Sequence, residues 1–168
     1  ENLLFGAKNT GPTTITQKKV LMMIKIEFSI NAIPHGKARA RFYKNNAYTP
    51  KSSVDYEKMI KQDAWVAMCK SQLKPTSQPV VVEIEAIYPI AKSWSKKKTM
   101  EAKFDAIKPS KPDLDNVIKS ILDGCNAVVY LDDQQVHTLI ATKRFQTFDE
   151  EPCVNVCISW THKLNGIN

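Results

Sequence analysis

Residues 111–136 read KPDLDNVIKSILDGCNAVVYLDDQQV, a stretch in which two acidic pairs bracket a strongly amphipathic segment. Apolar residues recur through the segment at helical spacing, at Leu114, Val117, Ile118, Ile121, Leu122 and Cys125. Because these positions form one continuous stripe at about 3.6 residues per turn, they predict a helix that packs on a core. The two acidic pairs would then lie at opposite ends of that helix.

The acidic pairs are Asp113 with Asp115 and Asp132 with Asp133. Asp113 stands where an N-cap belongs. A helix of about 12 residues is about 18 Å long. The residues that follow are enough to retrace much of that length at about 3.3 Å each, so the chain can fold back and bring the two acidic pairs together. Three or four carboxylates around one point repel one another unless a divalent cation neutralises them. Oxygen ligands favour Mg²⁺ or Mn²⁺ over zinc.

Lys119 follows Asp115 by one helical turn and is the cation placed to stabilise charge during a metal-assisted displacement at phosphorus. The same spacing also allows a structural interpretation, in which Asp113 caps the helix, Asp115 pairs with Lys119 and the second acidic pair forms a turn. Spacing alone does not decide between the two. Asp123 lies on the back of the predicted helix, where we expect it to face solvent.

The composition is that of one soluble domain, with 168 residues, 43% hydrophobic and 24% charged. Twenty-four Lys and Arg against 17 Asp and Glu give a net charge of +7, which favours a polyanionic partner. Residues 1–22 are rich in Thr, Lys and Gly and lack periodicity, so we predict an expression leader or a disordered arm there. The folded domain is predicted over residues 23–163, with 164–168 as a tail.

Four cysteines form no CxxC pair and have no clustered histidine, so the sequence predicts reduced thiols rather than a zinc site. No stretch reaches the roughly 20 apolar residues of a membrane span, and no secretory leader is evident. We therefore expect a cytoplasmic protein with no membrane partner.

Alternating apolar residues predict strands over 23–30, 79–89, 138–145 and 153–160. A helix capped by Ser52 or Ser53 is predicted to run until Pro75 stops it. Together with the amphipathic segment, these elements predict a single α+β domain, a mixed sheet of four to five strands packed with two to three helices.

Two basic segments precede the acidic stretch. Lys37, Arg39 and Arg41 alternate with smaller or apolar residues, so in an extended chain they share one face at about 6.5–7 Å spacing, suited to phosphates. Residues 92–111 hold seven lysines and two acids, and SKKKTMEAKF there predicts a short helix facing DNA. The alternatives are an edge strand guarded by charge and an ordinary solvated face.

The motifs KPDLDNVIK, LDGCNAVVYLDDQQV, PHGKARARF and YTP occur together in an order that resembles the RusA family of Holliday-junction resolvases, particularly its phage and prophage members. The resemblance covers about residues 23–160. It implies a Mg²⁺-dependent homodimeric endonuclease, with Mn²⁺ as a substitute, that resolves four-way DNA junctions in recombination or repair by paired nicks in symmetric strands.

The resemblance also assigns roles to residues. It places the metal-binding carboxylates at Asp113, Asp115 and Asp133, with Asp132 as the other acid of its pair, and the catalytic lysine at Lys119. The junction phosphates would be neutralised by cations in the two basic segments, namely Lys37, Arg39, Arg41, Lys96, Lys97, Lys98 and Lys111. Gly124 and Cys125 depart from the more usual family pattern, and we expect them to loosen the end of the helix.

Two other functions are open on the sequence alone. A non-catalytic nucleic-acid-binding protein would carry the same basic segments with a structural acidic cluster. A structural phage protein would use the acids only to cap helices and would bind neither metal nor DNA.

Overall fold

The computed structural model describes residues 20–44 and 46–164. Residues 1–19 of the predicted leader and residues 165–168 of the predicted tail lie outside the described residues. The first strand begins at Val20, and residues 20–22 pair with residues 162–164 in the sheet. These three residues, placed with the leader on sequence grounds, are therefore part of the fold.

In chain order the elements are β1 (Val20–Ile30), β2 (Arg41–Tyr43), β3 (Asn46–Tyr48), α1 (Lys51–Lys70), β4 (Val80–Tyr88), α2 (Lys96–Lys103), α3 (Leu114–Cys125), β5 (Val136–Phe145) and β6 (Cys153–Leu164). The main sheet has the strand order β1-β6-β4-β5, and β2 with β3 forms a separate hairpin. β6 is antiparallel to both neighbours, whereas β4 and β5 are parallel. The predicted single α+β domain with a mixed sheet is confirmed.

The strands bury one face because their apolar residues alternate along the chain. Ile26 of β1, Val82 of β4 and Ile158 of β6 are typical of the buried face. Glutamates at positions 27, 83 and 85 alternate with these residues and border a cavity of about 500 Å³ on the opposite face. The core therefore lies on one side of the sheet, and the other side is acidic and partly open.

α1 and α3 pack against each other over the core. Gly124 of α3 is buried at this contact, where an added Cβ would lie 2.5 Å from Cγ2 of Ile60 in α1. The helix continues through Cys125, which is fully buried. The expectation that Gly124 and Cys125 loosen the helix end is therefore wrong, since the missing side chain lets the two helices approach closely.

The start of α1 also differs from the prediction. The helix begins at Lys51 after Pro50, with no capping side chain, so neither Ser52 nor Ser53 is its cap. Ser53 is buried, and its hydroxyl accepts a hydrogen bond from the backbone N–H of Ala38 at 3.1 Å. The Ser53 hydroxyl, which the local pattern assigned to capping, therefore binds the backbone of Ala38 in the segment before α1.

The cysteines are all free, in keeping with the predicted thiols, and burial raises the pKa of Cys125 to about 12. Across the described residues, every helix is too short or too polar to cross a membrane.

Candidate active site

The amphipathic stripe of α3 folds as predicted, and the helix has the predicted bounds. Asp113 occupies the N-cap position, but its side chain makes no capping hydrogen bond. The carboxylate is 60% exposed and lies 3.6 Å from Nζ of Lys111. The structural interpretation of Asp113 as a helix cap is therefore wrong, and its oxygens remain open to a ligand.

Lys143 of β5 holds the chain just before Asp113. Its ammonium donates to the backbone carbonyls of Ser110 and Pro112, at 3.1 and 2.9 Å. Gly36 packs on the same proline, because a Cβ there would lie 2.8 Å from Cβ of Pro112. The sequence carries no local signal for these contacts, since Lys143 reads only as one residue of a strand.

Asp115 projects from the first turn of α3 into a cavity of about 350 Å³. The other residues that line this cavity come from α3, β5 and the turn between them, and they are Ile118, Lys119, Leu122, Asp123, Asp133 and Leu139. Three acids and one lysine thus border a space whose remaining walls are apolar. A partly apolar wall strengthens electrostatic interactions with a charged ligand.

The chain returns from α3 along a route fixed by Tyr130. This side chain is fully buried, and its hydroxyl donates to the backbone carbonyl of Leu122 at 2.9 Å. Burial raises the pKa of the phenol, which keeps it a donor. The N–H of Thr76 donates to the carbonyl of Val129 at 2.9 Å, so the returning segment is also tied to the loop before β4.

The second acidic pair opens a single 3₁₀ turn, Asp133–Gln135. Asp132 caps this turn, accepting a hydrogen bond from the N–H of Gln134 at 2.9 Å. Asp132 and Gln135 together form a capping box. One carboxylate oxygen of Asp132 is therefore engaged by the protein itself, whereas Asp133 points to the cavity.

Gln135 is the positioning residue that sequence reasoning missed. Its side-chain oxygen accepts from the N–H groups of Leu131 and Asp132, at 2.9 and 3.0 Å. Its amide nitrogen donates to the carbonyls of Thr76 and Gln78, at 2.9 and 2.8 Å. The D-x-x-Q spacing was the available signal, since it is typical of a capping box.

The structure brings Asp115 and Asp133 to one cavity, but Asp113 and Asp132 do not line it. Over residues 20–44 and 46–164, no three His, Cys, Asp or Glu side chains lie close enough to hold a metal ion. The predicted convergence of three or four carboxylates is thus reduced to two of them. Two carboxylates suit Mg²⁺, which keeps several of its waters when protein groups bind it.

Lys119 and Asp123 differ from their expected positions. Nζ of Lys119 lies 3.7 Å from a carboxylate oxygen of Asp123, one turn further along α3, rather than pairing with Asp115. Asp123 is only 21% exposed because Lys37, distant in sequence, forms an ion pair with it. The expectation that Asp123 faces solvent is therefore wrong.

Lys37 lies between two acids, Asp123 and Glu57, the latter at 2.9 Å. Burial lowers the pKa of its ammonium, but hydrogen bonds to both carboxylates outweigh this and leave the pKa above its ordinary value. The backbone N–H of Lys37 donates to the backbone carbonyl of Asn116 at 2.8 Å. Residues 33–40 form no strand, so Lys37 does not share a strand face with Arg39 and Arg41, which are exposed.

The second basic segment forms α2, as predicted. Ser95 caps it by accepting from the N–H of Lys98 at 3.3 Å. Lys96, Lys97 and Lys98 are exposed, and Nζ of Lys98 lies 3.9 Å from the ring centroid of Trp94. Contact of these lysines with DNA stays a prediction.

Residues 31–159 match the family model for Endodeoxyribonuclease RusA. The chain belongs to this family. Uncharacterized protein YqaN of Bacillus subtilis (strain 168) is 33% identical over 139 residues, which cover 79% of this chain and 94% of that protein. The matched range contains the acids of both pairs and Lys119, and it identifies a nuclease fold from a family that acts on branched DNA junctions.

Proposed function

We propose that this protein is a Mg²⁺-dependent endonuclease that resolves four-way DNA junctions in recombination or repair, and that Mn²⁺ can substitute. The observation that carries the proposal is the placement of Asp115, Asp133 and Lys119 on one cavity. In a RusA-family chain, that set offers oxygen ligands for a cation and an ammonium for a phosphate.

Asp115 and Asp133 would hold the cation. Asp113, the third carboxylate that the resemblance assigns to the metal, lies at the start of the same helix but outside the cavity. Asp132 uses an oxygen to cap the 3₁₀ turn, so we assign it to positioning rather than to metal binding. When bound, Mg²⁺ supplies Lewis-acid polarisation of a phosphodiester oxygen and lowers the pKa of a coordinated water.

Lys119 supplies the second part of the chemistry. Its side chain is 61% exposed and its ammonium is restrained 3.7 Å from Asp123. Because Lys37 also binds Asp123, the two ammonium groups share one carboxylate, and Lys119, the more exposed of the two lysines, is the one open to a phosphate. A cation aimed at the oxygens that gain charge stabilises the transition state more than the ground state.

The DNA would contact the exposed cations of the two basic segments. Arg39 is exposed just before β2, Arg41 in β2 and Lys111 just before α3, and Lys96–Lys98 are exposed on α2. Binding through phosphates releases counterions, so affinity falls steeply with salt. A homodimer fits a junction because a two-fold protein presents one site to each of two equivalent strands.

The test is cleavage of an immobile four-way junction, a fork and a plain duplex in Mg²⁺. Asp115→Asn and Asp133→Asn are expected to abolish nicking of the junction and to leave binding intact. Asp55→Asn, at an exposed acid on α1, is the matched control and is expected to retain full activity. Retained cleavage in both site variants would overturn the proposal.

A non-catalytic DNA-binding protein is the second candidate, because among the described residues no three acids lie close enough to hold a metal ion together. It predicts salt-dependent binding of DNA that the two substitutions leave unchanged. It also predicts no nicking by the wild type with Mg²⁺ or Mn²⁺ at any excess of enzyme. Any junction-specific nicking that depends on Asp115 excludes it.

A further inference from the structure

The β2–β3 hairpin presents large aromatic side chains to solvent, outside the main sheet. Phe42, Tyr43 and Tyr48 are 78, 67 and 48% exposed. A two-stranded hairpin has no core of its own and is at best marginally stable alone. Packing therefore does not account for three exposed rings, and a group of exposed apolar side chains marks an interaction site.

The strand register sorts these side chains onto two faces. It pairs Arg41 with Tyr48, Tyr43 with Asn46, and Phe42 with Ala47. Paired residues share a face and successive residues alternate between faces. Arg41, Tyr43 and Tyr48 thus occupy one face, while Phe42 stands on the other beside the small Ala47, with no large cross-strand partner.

The charge around the hairpin indicates what would bind there. Between Glu27 and Asp55 the sequence has no acid, and besides Lys37, which is ion-paired with acids of α1 and α3, it has four cations, Arg39, Arg41, Lys44 and Lys51. Nζ of Lys44 lies 5.5 Å from the ring centroid of Tyr43. A surface that combines cations with exposed rings is complementary to a polyanion with flat bases, since bases stack on aromatic side chains in a sequence-tolerant way.

The segment just before the hairpin is fixed to α3, the helix that carries Asp115 and Lys119. The N–H of Lys37 donates to the carbonyl of Asn116 in α3 at 2.8 Å, and Lys37 also binds Asp123 of the same helix. Phe42 follows five residues later, so its Cα lies within about 17 Å of the Cα of Lys37. A base that contacts the ring is thereby held at a limited distance from the cavity.

We propose that Phe42 stacks on an unstacked base at the branch point of DNA, and so makes binding selective for branched DNA. This inference rests on the proposed function, which supplies a branched substrate. Apolar side chains that insert at base steps must unstack them, and the energy required is least where pairing or stacking is already broken. Arg41 on the other face binds phosphate, which a duplex and a junction both offer.

The experiment measures affinity by fluorescence anisotropy in metal-free buffer, for a four-way junction and for a duplex of the same sequence. Phe42→Ala is expected to weaken junction binding about tenfold and duplex binding less than about twofold. Phe42→Tyr keeps the ring and is expected to keep the preference. Arg41→Gln is expected to weaken both affinities alike and to reduce the salt slope by about one.

Trp65→Ala is the matched control, because Trp65 is an aromatic residue of α1 with 60% exposure. It is expected to leave both affinities unchanged. Permanganate reactivity of branch-point thymines gives a second measure, and Phe42→Ala is expected to lower the reactivity that wild-type protein induces.

The proposal is overturned if Phe42→Ala leaves junction affinity unchanged or weakens junction and duplex binding equally. It is also overturned if sedimentation shows that Phe42→Ala dissociates a dimer, since the ring would then cover a second copy. If the protein nicks junctions and Phe42→Ala keeps the wild-type preference for junctions over duplex, only this inference is refuted. A Phe42-dependent preference in a protein that never nicks refutes the nuclease function alone.

Discussion

Asp113 and Asp132 occupy equivalent positions, each just before the first residue of a helical turn, yet their carboxylates have different partners. Asp132 accepts a backbone hydrogen bond and caps its turn, whereas Asp113 makes no capping bond and stays exposed. Asp133, next to Asp132, lines the cavity, and so does Asp115, two positions after Asp113. The same local pattern, an aspartate just before a helical turn, therefore gives a capping carboxylate at Asp132 and an exposed one at Asp113.

The distinction extends to acids elsewhere in the molecule. Glu85 and Glu150 accept hydrogen bonds from Arg144, and Asp123 binds Lys37. Neutralising such an engaged acid should lower stability. Neutralising Asp115 or Asp133 should instead lower the rate of nicking and leave the fold intact.

The largest expected effect separates the two members of one pair. Asp133→Asn is expected to slow junction nicking by about a hundredfold or more, since metal-assisted chemistry contributes several kcal/mol. Asp132→Asn keeps the cap, because Asn caps as well as Asp, and should slow nicking less than about threefold. Single-turnover nicking in Mg²⁺ measures both rates, and equal losses would erase the distinction between the acids.

The next effect concerns the residue that supports the second pair. Gln135→Ala removes four hydrogen bonds, two of them to the loop before β4. At about 1 kcal/mol for each net bond, partly offset by water, the free energy of unfolding should fall by about 2–3 kcal/mol. Urea denaturation measures it. The exposed neighbour supplies the control, since Gln134→Ala should change stability by less than about 0.5 kcal/mol.

A third effect is a pH dependence from an engaged acid. Hydrogen bonds from Arg144 lower the pKa of Glu150 to about 2, against an ordinary value of 4.5. The folded state therefore binds this proton less readily than the unfolded state, and the contribution to stability is complete above about pH 4.5 and lost as the pH falls toward 2.

Glu150→Gln tests this dependence. The wild type should exceed the variant in unfolding free energy by about 1.5–3 kcal/mol at pH 7, the range for hydrogen bonds to charged groups. The difference should shrink between pH 4.5 and 2. A difference that does not change with pH would show that Arg144 gains nothing from the negative charge of Glu150.

The smallest effect returns to the two cap positions. Asp132→Ala should cost about 1 kcal/mol of unfolding free energy, the typical loss of an N-cap. Asp113→Ala removes no capping bond, so it should cost less than about 0.5 kcal/mol while reducing nicking. Thermal denaturation monitored by circular dichroism measures both, and equal costs would show that Asp113 caps α3 in solution.

Sequence was sufficient where local periodicity determines structure. The stripe from Leu114 to Cys125 predicted the bounds of α3, and alternation predicted all four strands of the main sheet. These patterns suffice where burial of one face dominates the energy of the element, as in α3, β1, β4 and β6. The two acidic pairs likewise stood out because their neighbours are strongly apolar.

The failures share a physical cause, which is a partner distant in the sequence. Lys37 lies in a pattern typical of a strand, but its contacts with Asn116 and Asp123 of α3 fix the backbone otherwise. The ion pair with Lys37 also buries Asp123. The Ser53 hydroxyl accepts a hydrogen bond from the N–H of Ala38 instead of capping α1. Single-sequence patterns contain no information on such pairs, so the engaged and free acids could not be told apart beforehand.

The acidic face of the sheet has a consequence for the kinetics of association. Glu27, Glu83 and Glu85 outnumber the cations Lys25 and Arg144 on that face, in a protein whose net charge is +7. The excess of positive charge therefore lies elsewhere on the protein, and a polyanionic ligand would be attracted to those surfaces rather than to this face. Such an attraction would orient encounters before any contact forms, and the gain in association rate would fade as salt shortens the range of the field.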